Sequence, residues 1–315
     1  MDLSLVVPCF NEEENIEEFY QCVENCFKGR SFTYELVFVN DGSRDNTLLK
    51  LKELVKTQRG SIQVVSFSRN FGKESAIYAG LSRAKGDAVC IIDADLQQRP
   101  EVVLEMKEIL DTKPEVDCVA AYQQKRKEGK VISAFKSWFY KIINKVSEVD
   151  FVNGASDFRL MRRQMVNAVL SMTEYHRFSK GILSWVGFNT EHIAYEVQPR
   201  EHGESKWSVL KLTKYAIEGI VAFSTAPLRL ATVIGFISSI LSVIYLVGVV
   251  IQKLFFEIKV PGYASTVVLI LFMGGLILFC LGIIGEYLAK IYVQMKNRPI
   301  YIEKEYFSNE NENKL

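Results

Sequence analysis

Two hydrophobic rhythms divide the chain. Up to about residue 121, short apolar runs of strand length alternate with amphipathic stretches of helical period. Leu3–Pro8, Glu35–Asn40, Ile62–Phe67, Ala88–Asp93 and Asp117–Ala121 are predicted as strands. Helices are predicted between them, over Glu12–Phe27, Asp45–Lys56, Lys73–Ala84 and Pro100–Leu110. Apolar strands spaced by helices imply an α/β domain with a mostly parallel sheet covered on both faces. In such sheets ligands bind beyond the carboxyl ends of the strands.

The second rhythm is unbroken apolarity. Leu230–Gln252 and Val260–Gly285 contain no charged residue. At about 1.5 Å per helical residue, either run crosses a hydrocarbon core of roughly 30 Å. Pro261 and Gly262 are expected to precede the second helix, and the short connection Lys253–Lys259 makes the pair a hairpin. Two spans return the tail, Tyr287–Leu315, to the side of the N-terminal domain. Lys290, Lys296, Arg298 and Lys304 suit a cytoplasmic exit, which Lys253 and Lys259 in the connection weaken without reversing. Met1–Phe10 lacks the pattern of a secretory signal, so the N-terminal domain is expected in the cytoplasm.

Charge changes the picture locally rather than globally. Thirty-eight Lys+Arg against 37 Asp+Glu leave a net charge of +1, which gives no reason to expect a nucleic-acid partner. Tyr122–Ser147, however, holds seven Lys/Arg and one acid, Glu128, with Val131, Phe135, Trp138, Phe139, Ile142 and Val146 at helical spacing. This reads as a basic amphipathic helix, about 130–147, either a solvated helix packed on the domain or, favoured by the spanning helices that follow, one lying against membrane lipids. A second amphipathic helix is expected over Ser208–Ala226, ended by Pro227. The resulting organisation is an α/β domain over 1–207, a juxtamembrane helix over 208–227, two transmembrane helices over 228–289 (about 230–252 and 263–285) and a cytoplasmic tail over 290–315. The six cysteines form no CxxC pair and are expected as reduced thiols, several of them buried.

The polar motifs sit where the predicted strands end. Pro8-Cys9-Phe10-Asn11-Glu12 closes the first strand; Asn11 is a fair helix cap and can also rim a nucleoside. Asn40-Asp41-Gly42-Ser43 closes the second; it is ordinary turn chemistry, yet Asp41 can also accept hydrogen bonds from a base or ribose. Asp93-Ala94-Asp95-Leu96-Gln97 runs off the fourth apolar strand. Carboxylates on alternate residues there need a counter-charge, which a divalent cation with a diphosphate supplies. Asp157, in Asn153–Leu160, is either a cap or a carboxylate facing an acceptor. Arg200 and Lys206, flanking Gly203 close to the membrane segment, can clamp a phosphate, and a lipid phosphate is the natural one.

From Val6 to about Arg298 the chain resembles the glycosyltransferase family 2 polyprenyl-phosphate transferases, which include bacterial undecaprenyl-phosphate glucosyl- and N-acetylglucosaminyltransferases and dolichyl-phosphate mannose synthase. The resemblance rests on PxxNE (Pro8–Glu12), NDGS (Asn40–Ser43), SRNFGKE (Ser68–Glu74), DADLQ (Asp93–Gln97), SDFRLM (Ser156–Met161), RFSKG (Arg177–Gly181) and RxxGxSKW (Arg200–Trp207), with two spans after the last. It implies a GT-A, Rossmann-like catalytic domain and inverting transfer of a hexose, from UDP-glucose or UDP-N-acetylglucosamine, to polyprenyl phosphate. By the same resemblance Pro8, Asn11, Glu12, Asp41, Ser43, Lys73, Asp93 and Asp95 would bind the nucleotide sugar. Asp93, Asp95 and Gln97 would hold Mg²⁺ or Mn²⁺, Asp157 and Asp95 would be catalytic, and Arg200, Ser205 and Lys206 would hold the acceptor phosphate. A homotetramer in a bacterial plasma membrane, with both termini cytoplasmic, is the implied assembly. One departure stands out: Gln98 and Arg99 occupy positions where the family commonly has an acid and a proline, so a third carboxylate is missing and the loop over the donor is expected to change. A processive polysaccharide synthase is the nearest rival, but there is no QxxRW motif and two spans are too few for a channel. A catalytically silent nucleotide-sugar-binding scaffold is the rival from another class.

Overall fold

The computed structural model describes residues 1–58, 60–123, 155–196, 224–255 and 262–309. By internal contacts the chain divides into two units, one of residues 1–215 with 298–315 and one of residues 216–297.

The first unit is built on an eight-stranded sheet. Its strands are β1 (Leu3–Cys9), β2 (Tyr34–Asn40), β3 (Ser61–Phe67), β4 (Ala88–Ile91), β5 (Cys118–Gln123), β6 (Ala155–Arg162), β7 (Thr190–Tyr195) and β8 (Glu303–Ser308), in spatial order β7-β5-β6-β4-β1-β2-β3-β8. The β4-β1-β2-β3 centre is parallel, as the buried apolar runs predict; β6 is antiparallel to both β4 and β5, and β7 runs parallel to β5. The helices α1 (Ile16–Phe27), α2 (Thr47–Thr57), α3 (Lys73–Arg83), α4 (Pro100–Thr112), α5 (Arg163–Ser171) and α6 (Ser179–Trp185) connect these strands. On α1 the buried positions Ile16, Phe19, Tyr20, Val23 and Phe27 follow the helical period and close the core over β1 and β2. Helix α3 covers the β1–β2 region so closely that a Cβ on Gly80 would lie 2.2 Å from a Val6 methyl carbon. Glu35 lies fully buried in the sheet with its carboxylate satisfied by Ser4 Oγ (2.5 Å), Gln63 Nε2 (2.6 Å) and Lys85 N (2.5 Å).

Three features depart from the sequence reading. Helix α1 starts at Ile16 rather than Glu12, because the backbone before it is knitted to the loop after β2: Asn11 N donates to Ser43 Oγ, Glu12 N to Thr47 Oγ1 and Glu13 N to Asp45 Oδ2. Strands β6 and β7 and helices α5 and α6 complete the sheet beyond the five strands and four helices expected. The cytoplasmic tail expected beyond the second apolar helix, for which no strand is predicted, forms β8, antiparallel to β3 at the sheet edge. Tyr301 stacks on Phe67 with centroids 4.8 Å apart, Arg83 Nη2 pairs with Glu303 at 2.8 Å, Lys52 pairs with Glu305, and Tyr306 Oη donates to Gln63 at 2.9 Å. The expected basic amphipathic helix at 130–147, and all but the last residues of the one at 208–227, fall outside the described residues.

The second unit contains two long helices, α7 (Ala226–Phe255) and α8 (Tyr263–Met295), which overrun the predicted spans. The most apolar 18-residue stretches within Ala226–Gln252 and Ser265–Met295 have mean hydropathies of 2.5 and 3.0. Large apolar side chains such as Phe236, Leu254, Leu271 and Leu278 are exposed along both. Helices apolar around their whole circumference belong in lipid rather than water, so this unit associates the protein with a membrane. Tyr287 Oη donates to Ser224 O at 2.7 Å within it.

Candidate active site

The site forms where β1, β2, β4 and β6 present their acidic and polar residues. Pro8 is placed in β1 opposite Val39, beyond the last β1–β4 register pair, Val6 with Ile91. A proline there breaks no ladder on the β4 side. The backbone then turns at Asn11, whose φ of 56° is left-handed, a conformation asparagine tolerates better than most residues. Asn11 Oδ1 accepts from Arg44 N at 2.9 Å while its own N–H donates to Ser43 Oγ at 3.0 Å. Asn11 and Ser43 therefore lock two site loops together.

Asp41, expected to face a base or ribose, is turned inward. It is 3% exposed, and its carboxylate accepts Phe71 N (2.6 Å) and Gly72 N (3.0 Å), the two amides that lead into α3. Burial pushes its pKa up, against the opposing pull of those two hydrogen bonds and of Arg69. The neighbouring Gly42 (φ 63°) leaves room for this approach, since a Cβ there would lie 2.4 Å from the Arg69 carbonyl carbon.

This anchoring delivers Lys73, at the first position of α3, to the acidic cluster. Its ammonium lies 2.6 Å from Asp93 and 3.6 Å from Asp157, so one cation joins the ends of β4 and β6. Burial works against its charge, yet Asp93, Asp157 and Asp95 together raise its pKa well above the ordinary lysine range. Asp157 is ionised for the complementary reason. Burial would raise its pKa, but Lys73, Lys180 and Arg159 outweigh that and hold it below the usual value. Its Oδ1 is buried and has no hydrogen-bond partner among the described residues.

The Asp93–Gln97 loop is fixed by a residue that the sequence reading set aside. Gln98 is buried and clamps Asp93 from both sides: its Oε1 accepts Asp93 N (2.9 Å) and its Nε2 donates to Asp93 Oδ2 (3.1 Å). The substitution that removes an acid thus supports the first carboxylate of the pair. Asp95 Oδ1 accepts Gln97 N at 3.2 Å across Leu96, a branched residue held at φ 56°. Two partly exposed carboxylates at one strand end, with a neutral oxygen from Gln97 beside them, are the donor set a hard divalent cation prefers. Among the described residues no three His, Cys, Asp or Glu side chains converge, so such an ion would need further ligands from substrate phosphates or water.

Sequence reasoning also missed Glu74. Its carboxylate accepts Ser179 N at 2.8 Å and the Ser179 hydroxyl. Burial, and then the charge of Asp157, push its pKa up to about 7. The signal lies in two motifs, SRNFGKE and RFSKG, whose residues meet here. Among the described residues, a cavity of about 230 Å³ opens beside Glu74, walled by Lys73, Tyr175, His176, Arg177 and Ile300 among others. The thiols of Cys9 and Cys90 are buried, and burial pushes both well up, so neither is suited to nucleophilic work. Arg200, Ser205 and Lys206 lie outside the described residues.

Comparison with known proteins matches this architecture in both units. Residues 4–170 match the model of glycosyl transferase family 2, and residues 226–291 match that of the GtrB C-terminal hairpin. The chain is 42% identical over 304 residues to a putative glycosyltransferase, CsbB, of Bacillus subtilis (strain 168), covering 96% of this chain and 91% of that one. It is 42% identical over 305 residues to the SfII prophage-derived bactoprenol glucosyl transferase of Shigella flexneri, covering 96% and 98%. It is 41% identical over 305 residues to a prophage bactoprenol glucosyl transferase homolog of Escherichia coli (strain K12), covering 96% and 99%.

Proposed function

Because the chain belongs to glycosyltransferase family 2 and carries a GtrB-type hairpin, we propose that it transfers glucose from UDP-glucose to polyprenyl phosphate, with inversion, at the cytoplasmic face of a bacterial plasma membrane. The observation that carries the reading is the Lys73 bridge between Asp93 and Asp157, which unites the donor-side and acceptor-side carboxylates in one cluster. The sugar is supported by relatives named as bactoprenol glucosyl transferases that align over nearly the whole chain. The cytoplasmic topology is supported by β8: both ends of the hairpin lead into the catalytic unit, so the two spans end on the side where they began.

In this reading a phosphate oxygen of the acceptor attacks the anomeric carbon of glucose and UDP departs. Asp93 and Asp95, with Gln97, would hold Mg²⁺ or Mn²⁺, which when bound offsets negative charge on the diphosphate. Lys73 places a fixed positive charge between the two carboxylate groups, where it stabilises negative charge developing on the leaving group. Gln98 holds Asp93 in its rotamer, and Asp41 fixes the backbone that aims Lys73. An acceptor phosphate is anionic near neutral pH and needs little activation. Asp157, kept ionised with one oxygen unpartnered among the described residues, therefore orients the acceptor side of the cleft rather than serving chiefly as a proton carrier. Arg200, Ser205 and Lys206 would bind the acceptor phosphate. The test of the sugar is a donor panel: purified protein with undecaprenyl phosphate and each labelled nucleotide sugar should give a labelled lipid with UDP-glucose. A lipid formed from UDP-N-acetylglucosamine and not from UDP-glucose would overturn the choice of sugar and leave the reaction class standing.

A further inference from the structure

We propose that Glu74 is a positioning residue for the transfer, tying the first turn of α3 to the start of α6 so that Lys73 and the Arg177–Lys180 segment meet Asp157 in a fixed arrangement. This rests on the function proposed above. Lys73 and Glu74 are consecutive, yet they serve different partners. Lys73 spans Asp93 and Asp157, while Glu74 receives two hydrogen bonds from one residue, Ser179, through its amide and its hydroxyl. Ser179 is buried, so the carboxylate supplies an acceptor that water cannot easily replace.

What Glu74 fixes bears on the reacting region. Ser179 lies between Arg177 and Lys180. The charge of Lys180 helps keep Asp157 ionised, and that of Arg177 acts on Glu74 itself. Arg177 is held in turn: its guanidinium lies 4.5 Å over the Tyr78 ring and donates to Met172 O, while its Nε is buried with no partner among the described residues. Tyr78 also meets Tyr301, from the segment that follows the second apolar helix, with centroids 6.5 Å apart. One carboxylate thus closes a ring of contacts running α3, α6, Arg177, Tyr78 and back to α3, and two members of this ring, Glu74 and Arg177, wall the cavity beside Lys73. Both of its hydrogen bonds are internal to the protein, which makes Glu74 a residue that acts through Lys73 and Asp157.

Gln at this position keeps an oxygen that can accept from Ser179, whereas Ala removes it. Steady-state transfer kinetics on Glu74→Ala, Glu74→Gln and Ser179→Ala, with hydrogen exchange read over residues 177–185, test the proposal. A misplacement of about 1 Å costs on the order of 100-fold in rate, so Glu74→Ala should lose roughly that in kcat with little change in KM for the nucleotide sugar. Glu74→Gln should restore most of the rate, and the Ser179 amide should exchange faster in Glu74→Ala but not in Glu74→Gln. If Glu74→Ala does not fold, Ser179→Ala, which deletes one of the two donors, should show a smaller kcat loss with the same unchanged KM. Wild-type kcat in Glu74→Ala, equal damage in the Gln and Ala variants, or unchanged Ser179 exchange in Glu74→Ala would each overturn the proposal. A wild-type protein that makes no lipid product would refute the function instead, and the exchange measurement would still decide the role of Glu74.

Discussion

Substitution of Asp41 separates two roles that its motif allows. If Asp41 recognises the nucleotide, Asp41→Asn should weaken donor binding and leave the fold intact. The structure points to an anchoring role instead, with a carboxylate 3% exposed that receives Phe71 N at 2.6 Å and Gly72 N at 3.0 Å. Hydrogen bonds to a charged acceptor contribute about 1.5–3 kcal/mol each. The Asn oxygen in the Oδ1 place can still accept Phe71 N and, at 3.2 Å, Gly72 N, but its NH₂ is then set against the Gly72 N–H that Asp41 Oδ2 accepts at 3.0 Å. Relief of the buried charge recovers part of the loss, which leaves a net cost of about 2 kcal/mol for Asn and roughly 3–4 kcal/mol for Ala. For a unit of this size each kcal/mol lowers the melting temperature by about 2–4 °C, so Asp41→Asn should melt about 4–8 °C below wild type. The assay is thermal unfolding in detergent at a fixed scan rate, alongside KM for UDP-glucose. Because Lys73 follows the two amides directly, kcat should fall as well. A wild-type melting temperature with a raised donor KM would refute the structural role and restore nucleotide contact as the purpose of Asp41.

Other consequences are more direct. Lys73→Met should reduce kcat by about 100-fold or more, as loss of a preorganised charge commonly does, while nucleotide binding measured by calorimetry persists. Chelation should abolish transfer, with Mg²⁺ or Mn²⁺ restoring it in the wild type and not in Asp95→Asn, read as labelled lipid. Glu74 has a folded-state pKa of about 7 against an ordinary 4.5. Between these values the folded chain binds more protons than the unfolded one, so its contribution to stability is present below about pH 4.5 and lost as pH rises towards 7. Glu74→Gln should therefore flatten the fall in melting temperature between pH 5 and pH 8. A stop codon after Asn297 deletes β8 and bares the edge of β3; the truncated protein should melt lower and run as aggregates on gel filtration.

The parallel centre of the sheet was legible because β1, β2 and β3 are buried runs of Val, Leu, Ile and Phe with helices of matching period between them. The two apolar helices were legible from length and lack of charge. β8 was not, because Glu303–Ser308 is a short, half-polar edge strand whose partner lies some 240 residues away in sequence, and Lys52 and Arg83 favour it only once the sheet exists. In the site, alternation at a strand end announced Asp93 and Asp95, but spacing cannot say which way a carboxylate turns. Asp41 therefore looked like a ligand and is found buried against the Phe71 and Gly72 amides, while Gln98 looked like a lost acid and is found hydrogen-bonded to Asp93 on both sides. The Glu74–Ser179 contact joins two motifs about a hundred residues apart, and neither motif by itself implies the other.

The most direct test of the central claim is transfer itself: purified protein in detergent, labelled UDP-glucose, undecaprenyl phosphate and Mg²⁺ or Mn²⁺, with wild type, Lys73→Met and Asp95→Asn side by side. A glucosyl lipid with the anomeric configuration opposite to that of the donor, made by the wild type and lost in both variants, is the predicted result. No lipid product with any nucleotide sugar, from protein that still binds UDP, would contradict it.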